Sequence, residues 1–246
     1  MARTDRPPAP ADVEPSPRAP PTSVERWQPK SLRELRVPPP ERVSERTFGD
    51  VLDHRRSDRD LGALSRVHLF ELLWHSARTR ARDFGSTSEH RAAPASGGLH
   101  ALELLVVEPP DEAIWRYDSV PSRLSELASV RSEELREACR DVREGAGRGA
   151  KQATLLIVAG DAARYDGAYL RSESLLWRDS GCFLMMIHLV STWLGLGSCL
   201  LGVLGGEILA TIPDGDTLRP AGVLIVGMTS QTEPPADDLS HDGRRA

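Results

Sequence analysis

Cys182-Phe183-Leu184-Met185-Met186-Ile187-His188-Leu189-Val190 is the densest apolar run in the chain and the centre of a longer one, Ser174 to Leu196. A membrane-spanning helix needs about 20 predominantly apolar residues. Here Arg178 and Asp179 sit just upstream of the dense part, and His188, Ser191 and Thr192 interrupt it. The run therefore reads as a helix buried on nearly all sides, in a core or a subunit interface, and not as a membrane span. His188 in its middle reads as a satisfied core or interface histidine. The entry, Tyr165 to Asp179, gathers Tyr169, Arg171, Glu173, Trp177 and Arg178. Such groups can line a site at the mouth of a buried helix, or can cap it and pair in its first turn. The exit, Leu194-Gly195-Leu196-Gly197-Ser198-Cys199-Leu200-Leu201-Gly202, reads as a glycine helix stop running into a strand. This Gly-x-Gly follows a helix and lacks a third glycine, so it is not a dinucleotide-binding fingerprint.

Working outward, Ser65 can cap a helix whose apolar positions Val67, Phe70, Leu73, Trp74 and Ala77 fall at helical spacing. Leu102 to Val107 reads as a strand, Ile114 to Tyr117 as a short second one, and Leu155 to Ala159 and Ala221 to Val226 as buried strands. Ser132 to Glu144 predicts a charged, largely exposed helix. Few, irregularly spaced strands among helices point to an α+β fold rather than a doubly wound sheet. Residues 1–46 hold 11 of the 19 prolines with nine basic and seven acidic side chains and almost no apolar periodicity. Such a segment is expected to be an extended or disordered arm. The expected organisation is that arm, a folded domain over 47–228, and a polar tail over 229–246.

The 246 residues allow one domain or two small ones, and 39% hydrophobic with 27% charged residues is a soluble globular balance. A net charge of −5 with no basic stripe argues against nucleic-acid binding. Cys139, Cys182 and Cys199 include no C-x-x-C pair, and no apolar segment near the start resembles a secretory signal, so the chain reads as cytoplasmic. Cys182 and Cys199 lie in apolar stretches and read as buried, inert thiols. The absence of H-E-x-x-H, G-x-S-x-G and P-loop patterns disfavours zinc peptidases, common serine hydrolases and nucleoside triphosphatases, and no metal site is expected.

Two further segments carry chemistry. His54-Arg55-Arg56-Ser57-Asp58-Arg59, at the end of a short helix beginning near Phe48, places three guanidiniums and a hydroxyl within five residues. These can grip a phosphate and the polar edge of a planar heterocycle, or form a solvated helix end. Arg91-Ala92-Ala93-Pro94-Ala95-Ser96-Gly97-Gly98-Leu99-His100 leads into the strand that holds Glu103. Its small residues admit close backbone approach to a flat ligand, or simply turn the chain.

Taken in order, these segments resemble the flavin-dependent nitroreductase-like superfamily. Within it they are most similar to the thiazoline/oxazoline dehydrogenases of peptide natural-product pathways, the SagB-type branch. Arg55-Arg56-Ser57-Asp58-Arg59 matches the opening Arg-Arg-Ser-x-Arg segment; Pro94 to Gly98 with Leu102-Glu103 matches a Pro-Ser-Ala-Gly-like loop before a Leu-Glu strand start. Trp115-Arg116-Tyr117-Asp118 resembles a Tyr-x-Tyr-Asp strand, and Gly195-Leu196-Gly197-Ser198 the turn after the long helix. The resemblance covers about 47–228.

It implies an α+β sandwich in a domain-entwined homodimer, with FMN at the interface contacted by both subunits. Arg55, Arg56, Ser57 and Arg59 would hold the phosphate, ribityl chain or pyrimidine edge. Pro94, Ala95, Ser96, Gly97 and Gly98 would pass beside the isoalloxazine, and Leu201 and Gly202 would offer backbone to its other side. The helix through Met186 would form the dimer core. Azoline dehydrogenases often place a Lys-Tyr pair before the long helix; Arg164-Tyr165 is the nearest match here. Arginine is a poor proton acceptor, so Tyr165 or Tyr169, with Glu173 or Asp179, would supply acid and base. Gly227-Met228-Thr229-Ser230 has no basic residue where family members often complete the phosphate site.

The implied reaction delivers a hydride from a substrate C–H bond to the flavin while a side chain takes a proton. Dioxygen or another acceptor would reoxidise the flavin. From a peptide azoline the product is an aromatic thiazole or oxazole. Two alternatives remain: an NAD(P)H-dependent reductase of small molecules on the same fold, and a non-catalytic subunit that scaffolds a modification complex with partner proteins.

Overall fold

The computed structural model describes residues 14–41, 44–82, 89–110, 112–129 and 131–229. Its centre is an antiparallel sheet. The strands, in chain order, are β1 (Ser31–Arg36), β2 (Leu102–Glu108), β3 (Ala113–Asp118), β4 (Arg123–Leu127), β5 (Thr154–Asp161), β6 (Leu196–Leu200) and β7 (Leu218–Thr229). They lie in the order β6-β7-β5-β2-β3-β4-β1, and a two-residue strand, Leu61–Gly62, pairs with the end of β7. The helices are α1 (Phe48–His54), α2 (Arg66–Ala77), α3 (Ser132–Ala146), α4 (Ala162–Ala168), α5 (Glu173–Trp193) and α6 (Gly206–Leu209).

The central strands read as continuous apolar runs because helices cover both of their faces. Alternate residues point opposite ways along a strand. Leu104, Val106, Leu156, Val158, Leu224 and Val226 therefore pack with Leu69, Leu72 and Leu73 of α2 and Phe183, Leu184 and Ile187 of α5. Leu105, Val107, Leu155, Ile157, Val223 and Ile225 pack on the other side with Leu135 and Cys139 of α3 and Ile208 and Leu209 of α6. Each such side chain contributes about 1.5–3 kcal/mol on leaving water. The result is a three-layer α+β sandwich whose sheet has more strands than apolar pattern alone reveals.

Helix limits follow local chemistry. The Ser65 hydroxyl accepts from the His68 N–H at the start of α2, as the sequence predicts. Thr47 and Asp50 form a reciprocal capping box at α1. α3 is amphipathic: its charged side is exposed, but Leu135, Ala138, Cys139 and Arg143 are buried. No helix among the described residues is long and apolar enough to cross a membrane.

Three features refine the expectations. The arm, expected to be extended or disordered, is extended where described and is tied to the domain. β1 is the edge strand beside β4, and Ser16–Pro17 pairs with Tyr169–Leu170. Polar anchors achieve what apolar periodicity does not. Arg26 Nε and Nη2 donate to the Glu103 carboxylate at 2.6 and 3.1 Å, and Arg116 Nε donates to it at 2.9 Å. Burial opposes the charge on Glu103, which is fully enclosed, yet the two guanidiniums outweigh that cost and hold its carboxyl below the ordinary range.

Second, Cys182 is exposed on α5, whereas Cys139 and Cys199 are buried. Burial pushes the Cys139 thiol up to about 12.

Third, α5 is not covered all round. Trp177, Gly181, Cys182 and Met185 are exposed, with Leu189 half-buried. Trp177, Gly181, Met185 and Leu189 recur every fourth residue, so they form one apolar and small-residue stripe. The proposed tail beyond Thr229 lies outside the described residues.

Candidate functional site

The sequence-predicted residues gather into two groups, both organised by α5. The first contains Arg55, Arg56, Ser57 and Arg59, all exposed just after α1. The segment they occupy meets β6 at Ser198. Asp58 N–H donates to the Ser198 carbonyl at 2.9 Å, and further on Gly62 pairs with Met228 at the end of β7. Beyond the end of β6, Leu201 is half-buried and Gly202 exposed.

Gly197 makes this close lie possible. A Cβ there would stand 2.5 Å from Leu61 Cδ2 and 3.2 Å from Asp58 Oδ2. The second glycine of the Gly-Leu-Gly-Ser turn is thus a strand residue that admits the arginine segment, while Gly195 ends α5.

Arg55 is held from below. Its Nη1 donates to His188 Nε2 at 3.2 Å, and His188 Nδ1 lies 2.7 Å from Ser198 Oγ. A guanidinium only donates, so Nε2 is the acceptor and the proton of the neutral ring sits on Nδ1, aimed at Ser198. Burial, and then the Arg55 charge, hold the His188 pKa below its ordinary 6.5. His188 is satisfied, as predicted. Its hold on Arg55 was not legible, since 133 residues separate the two.

The second group surrounds the loop Pro94-Ala95-Ser96-Gly97-Gly98. Ser96 N–H donates to both carboxylate oxygens of Asp179 at 3.0 Å, and Ser96 Oγ donates to Oδ1 at 2.8 Å. Tyr165 O–H donates to Asp179 Oδ2, also at 2.8 Å. Arg164 holds the far end of the loop, donating to the carbonyls of Leu99 at 2.9 Å and His100 at 3.3 Å. A Cβ on Gly97, whose φ is +56°, would overlap the Tyr169 hydroxyl, so Tyr169 lies directly against the loop.

Of the four acid/base candidates, Tyr165 and Asp179 are buried and bonded to one another. Burial, reinforced by the Asp179 charge, pushes the Tyr165 phenol far up, so it stays protonated. Tyr169 is half-buried beside Gly97, and Glu173 is exposed in the first turn of α5.

The two groups do not face each other. Asp179 and His188 are nine residues apart on α5, which at 3.6 residues per turn and 1.5 Å rise is about two and a half turns, a net half-turn around the axis, and ~13.5 Å along it. They point from opposite sides of the helix. The exposed stripe of Trp177, Gly181 and Met185 lies within about 60° of His188 around the same axis. Two cavities, of about 650 and 630 Å³, lie away from both groups, one between Pro38–Pro40 and α2, the other between β1, β4 and the start of α3.

No family model matches the chain, and no curated protein matches it. Solved structures do. A candidate nitroreductase from Ralstonia eutropha JMP134 is 18% identical over 89% of this chain and all of that one, with a TM-score of 0.63. A candidate nitroreductase from Anabaena variabilis ATCC 29413 is 22% identical over 86% of this chain, TM-score 0.59; this chain spans 42% of that one. The E. coli microcin synthetase McbBCD complex with truncated pro-MccB17 bound is 17% identical over 73% of each chain, TM-score 0.50. The fold is nitroreductase-like.

Proposed function

We propose that the protein is an FMN-dependent oxidoreductase that works as a homodimer, and specifically a dehydrogenase that oxidises a peptide-derived azoline or a similar C–N or C–C bond. The observation that carries this reading is the division of the site across α5. A cationic edge, Arg55 to Arg59, is pinned to β6 on one side, and a small-residue loop, Pro94 to Gly98, is pinned by Asp179 on the other. Within one chain the two cannot close on a single ligand. A second copy seated on the exposed Trp177–Met185 stripe supports the missing half.

The donor set fits FMN. Three exposed guanidiniums and the Ser57 hydroxyl suit a phosphomonoester. A Cβ on Gly202 would meet nothing within 4 Å, and the neighbouring Val203 and Leu204 are exposed apolar side chains beside which a flat ring can lie. When bound, FMN supplies hydride acceptance. Arg55, Arg56, Ser57 and Arg59 would hold the phosphate end, Leu201 and Gly202 would offer backbone to the ring, and the Pro94–Gly98 loop of the other copy would pass beside it. Tyr165 and Asp179 keep that loop in place. Tyr169 is the group at the loop that moves a proton to or from the substrate, with Glu173 at the rim.

The likeness to the microcin synthetase complex supports a peptide substrate and partner proteins; the alternative on the same fold is an NAD(P)H-dependent reductase. The test is the visible spectrum of the purified protein with release of its chromophore, followed by NAD(P)H. Bound FMN that NAD(P)H does not bleach is the expected result. Rapid bleaching transfers the assignment to a reductase. A colourless protein that refuses added FMN overturns the catalytic reading in favour of a scaffold subunit.

A further inference from the structure

We infer that His188 is a positioning residue for the anion-binding edge: by accepting from Arg55 and donating to Ser198, it sets where the Arg55 guanidinium points and thereby how tightly a phosphomonoester is held. The inference rests on the flavin reading for its ligand, FMN, but its geometry is independent of it.

A histidine only 1% exposed in an apolar helix is costly unless both ring nitrogens find partners. Here both do, and both partners belong to the phosphate edge. Ser198 is used twice: its hydroxyl meets His188, and its carbonyl accepts from Asp58 N–H. The side chain of Arg55 and the backbone three residues later are thus fixed to one strand residue, the first through His188 and the second directly. An acceptor on Nε2 fixes one Nη of the guanidinium. The remaining N–H groups stay available in a defined orientation, which is what a bidentate phosphate contact requires.

The same arrangement couples the edge to pH. A second proton on the ring converts Nε2 from acceptor to donor and places a cation against Arg55, so the bond is lost. The charged groups around this point come from three elements. From the segment after α1 they are Arg55, which acts on the ring directly, Asp58, which is tied to the Asp60 N–H and the Thr229 hydroxyl, and the exposed Arg56 and Arg59; from the segment before α1 it is Arg46, which donates to the Thr192 carbonyl one turn further along α5. From α2 it is His75, stacked edge-on against Trp193 at the end of α5. β6 and the end of β7 bring Ser198 and Thr229, which do not titrate in this range.

The test is a titration of the full-length apoprotein with FMN, and separately with riboflavin, from pH 5 to 8, for the wild type, His188→Gln and His188→Leu. Gln keeps an acceptor near the Nε2 position; Leu keeps the volume and removes it. At pH 7.5, His188→Leu is expected to weaken FMN about tenfold, the scale of one charge-assisted contact, and to leave riboflavin unchanged, with His188→Gln recovering most of the loss. The FMN phosphate itself titrates near pH ~6 in every variant, so the informative quantity is the ratio of wild-type to His188→Gln affinity. That ratio is expected to fall as the pH drops below 6.5.

A His188→Leu protein that binds FMN as tightly as the wild type, or loses riboflavin equally, overturns the inference. If the wild type binds neither flavin at any pH, the flavin reading fails and the pairing is judged by NMR of ¹⁵N-labelled histidine. A proton on Nδ1 and a pKa that rises in Arg55→Gln uphold it; a ring indifferent to Arg55 overturns it.

Discussion

The carboxylate of Asp179, on the second turn of α5, receives the backbone N–H and the hydroxyl of Ser96, 83 residues earlier. With Tyr165 donating to the same group, one buried acid organises a loop that has no regular strand or helix of its own beyond a single short turn. Removing it in Asp179→Ala strands three donors. The variant is expected to lose roughly 2–4 kcal/mol of stability, as buried donors deprived of a charged partner do, and to weaken FMN. Denaturant unfolding followed by flavin titration reads both. A variant as stable as the wild type removes Asp179 from this role.

Tyr169 is the counterpart that touches the loop without anchoring it. Tyr169→Phe is expected to keep bound FMN and its spectrum while turnover falls by about 10²-fold or more, the usual contribution of a positioned acid or base. Steady-state kinetics on a flavin-loaded protein decides it; unchanged kcat assigns proton transfer to Glu173 or to solvent.

The docked arm makes an acid-stability prediction. The Glu103 carboxyl is held below its unfolded value by Arg26 and Arg116 against the opposing effect of burial. Such a group contributes stability that is complete above the unfolded pKa, near 4.5, and is lost as the pH falls through the lower folded value. In Arg26→Ala one guanidinium is gone and burial remains, so the folded pKa rises. The acid-unfolding midpoint is then expected to move upward, and stability at pH 7 to fall by about 3 kcal/mol, the lower end of the range for a broken buried pair because Arg116 remains. Circular dichroism against pH, with and without the arm, measures it.

Met185 lies on the bare stripe of α5, 42% exposed. Met185→Arg is expected to leave the fold intact and convert a dimer to a monomer, since exposed sites tolerate charge and apolar interface cores do not. Light scattering after size exclusion reads the mass. A wild type already monomeric, or a Met185→Arg variant that remains a dimer and still holds FMN, removes this face from the site.

Much of this architecture was legible in the residues, and the exceptions share a cause. β2, β5 and β7 are continuous apolar runs because they are covered twice, and α2 shows its period and its cap at Ser65. β1, Ser31-Leu32-Arg33-Glu34-Leu35-Arg36, shows neither signal. It is an edge strand held by main-chain pairing and by the ion pairs of Arg33 with Glu126 and Arg123 with Glu34, and an edge needs no buried face. At the site, arginine density and small-residue content mark the two segments. Their supports, His188 under Arg55 and Asp179 behind Ser96, depend on long-range closure that no local pattern records. Asp179 stood out as an acid; that it holds a loop is a fact of three dimensions.

The position of β7 gives the order in which the site can come into being on a ribosome. Among the described residues β6 pairs with β7 alone, and β7 joins it to β5. Until residues 218–229 have been synthesised, Ser198 lacks its sheet partner Val226, and Arg55, made far earlier, can meet His188 only on a helix whose strand is not yet set in the sheet. The earliest-translated part of the proposed anion edge thus waits on one of the latest, and a nascent chain arrested before β7 carries the charges but not the sheet that fixes Ser198.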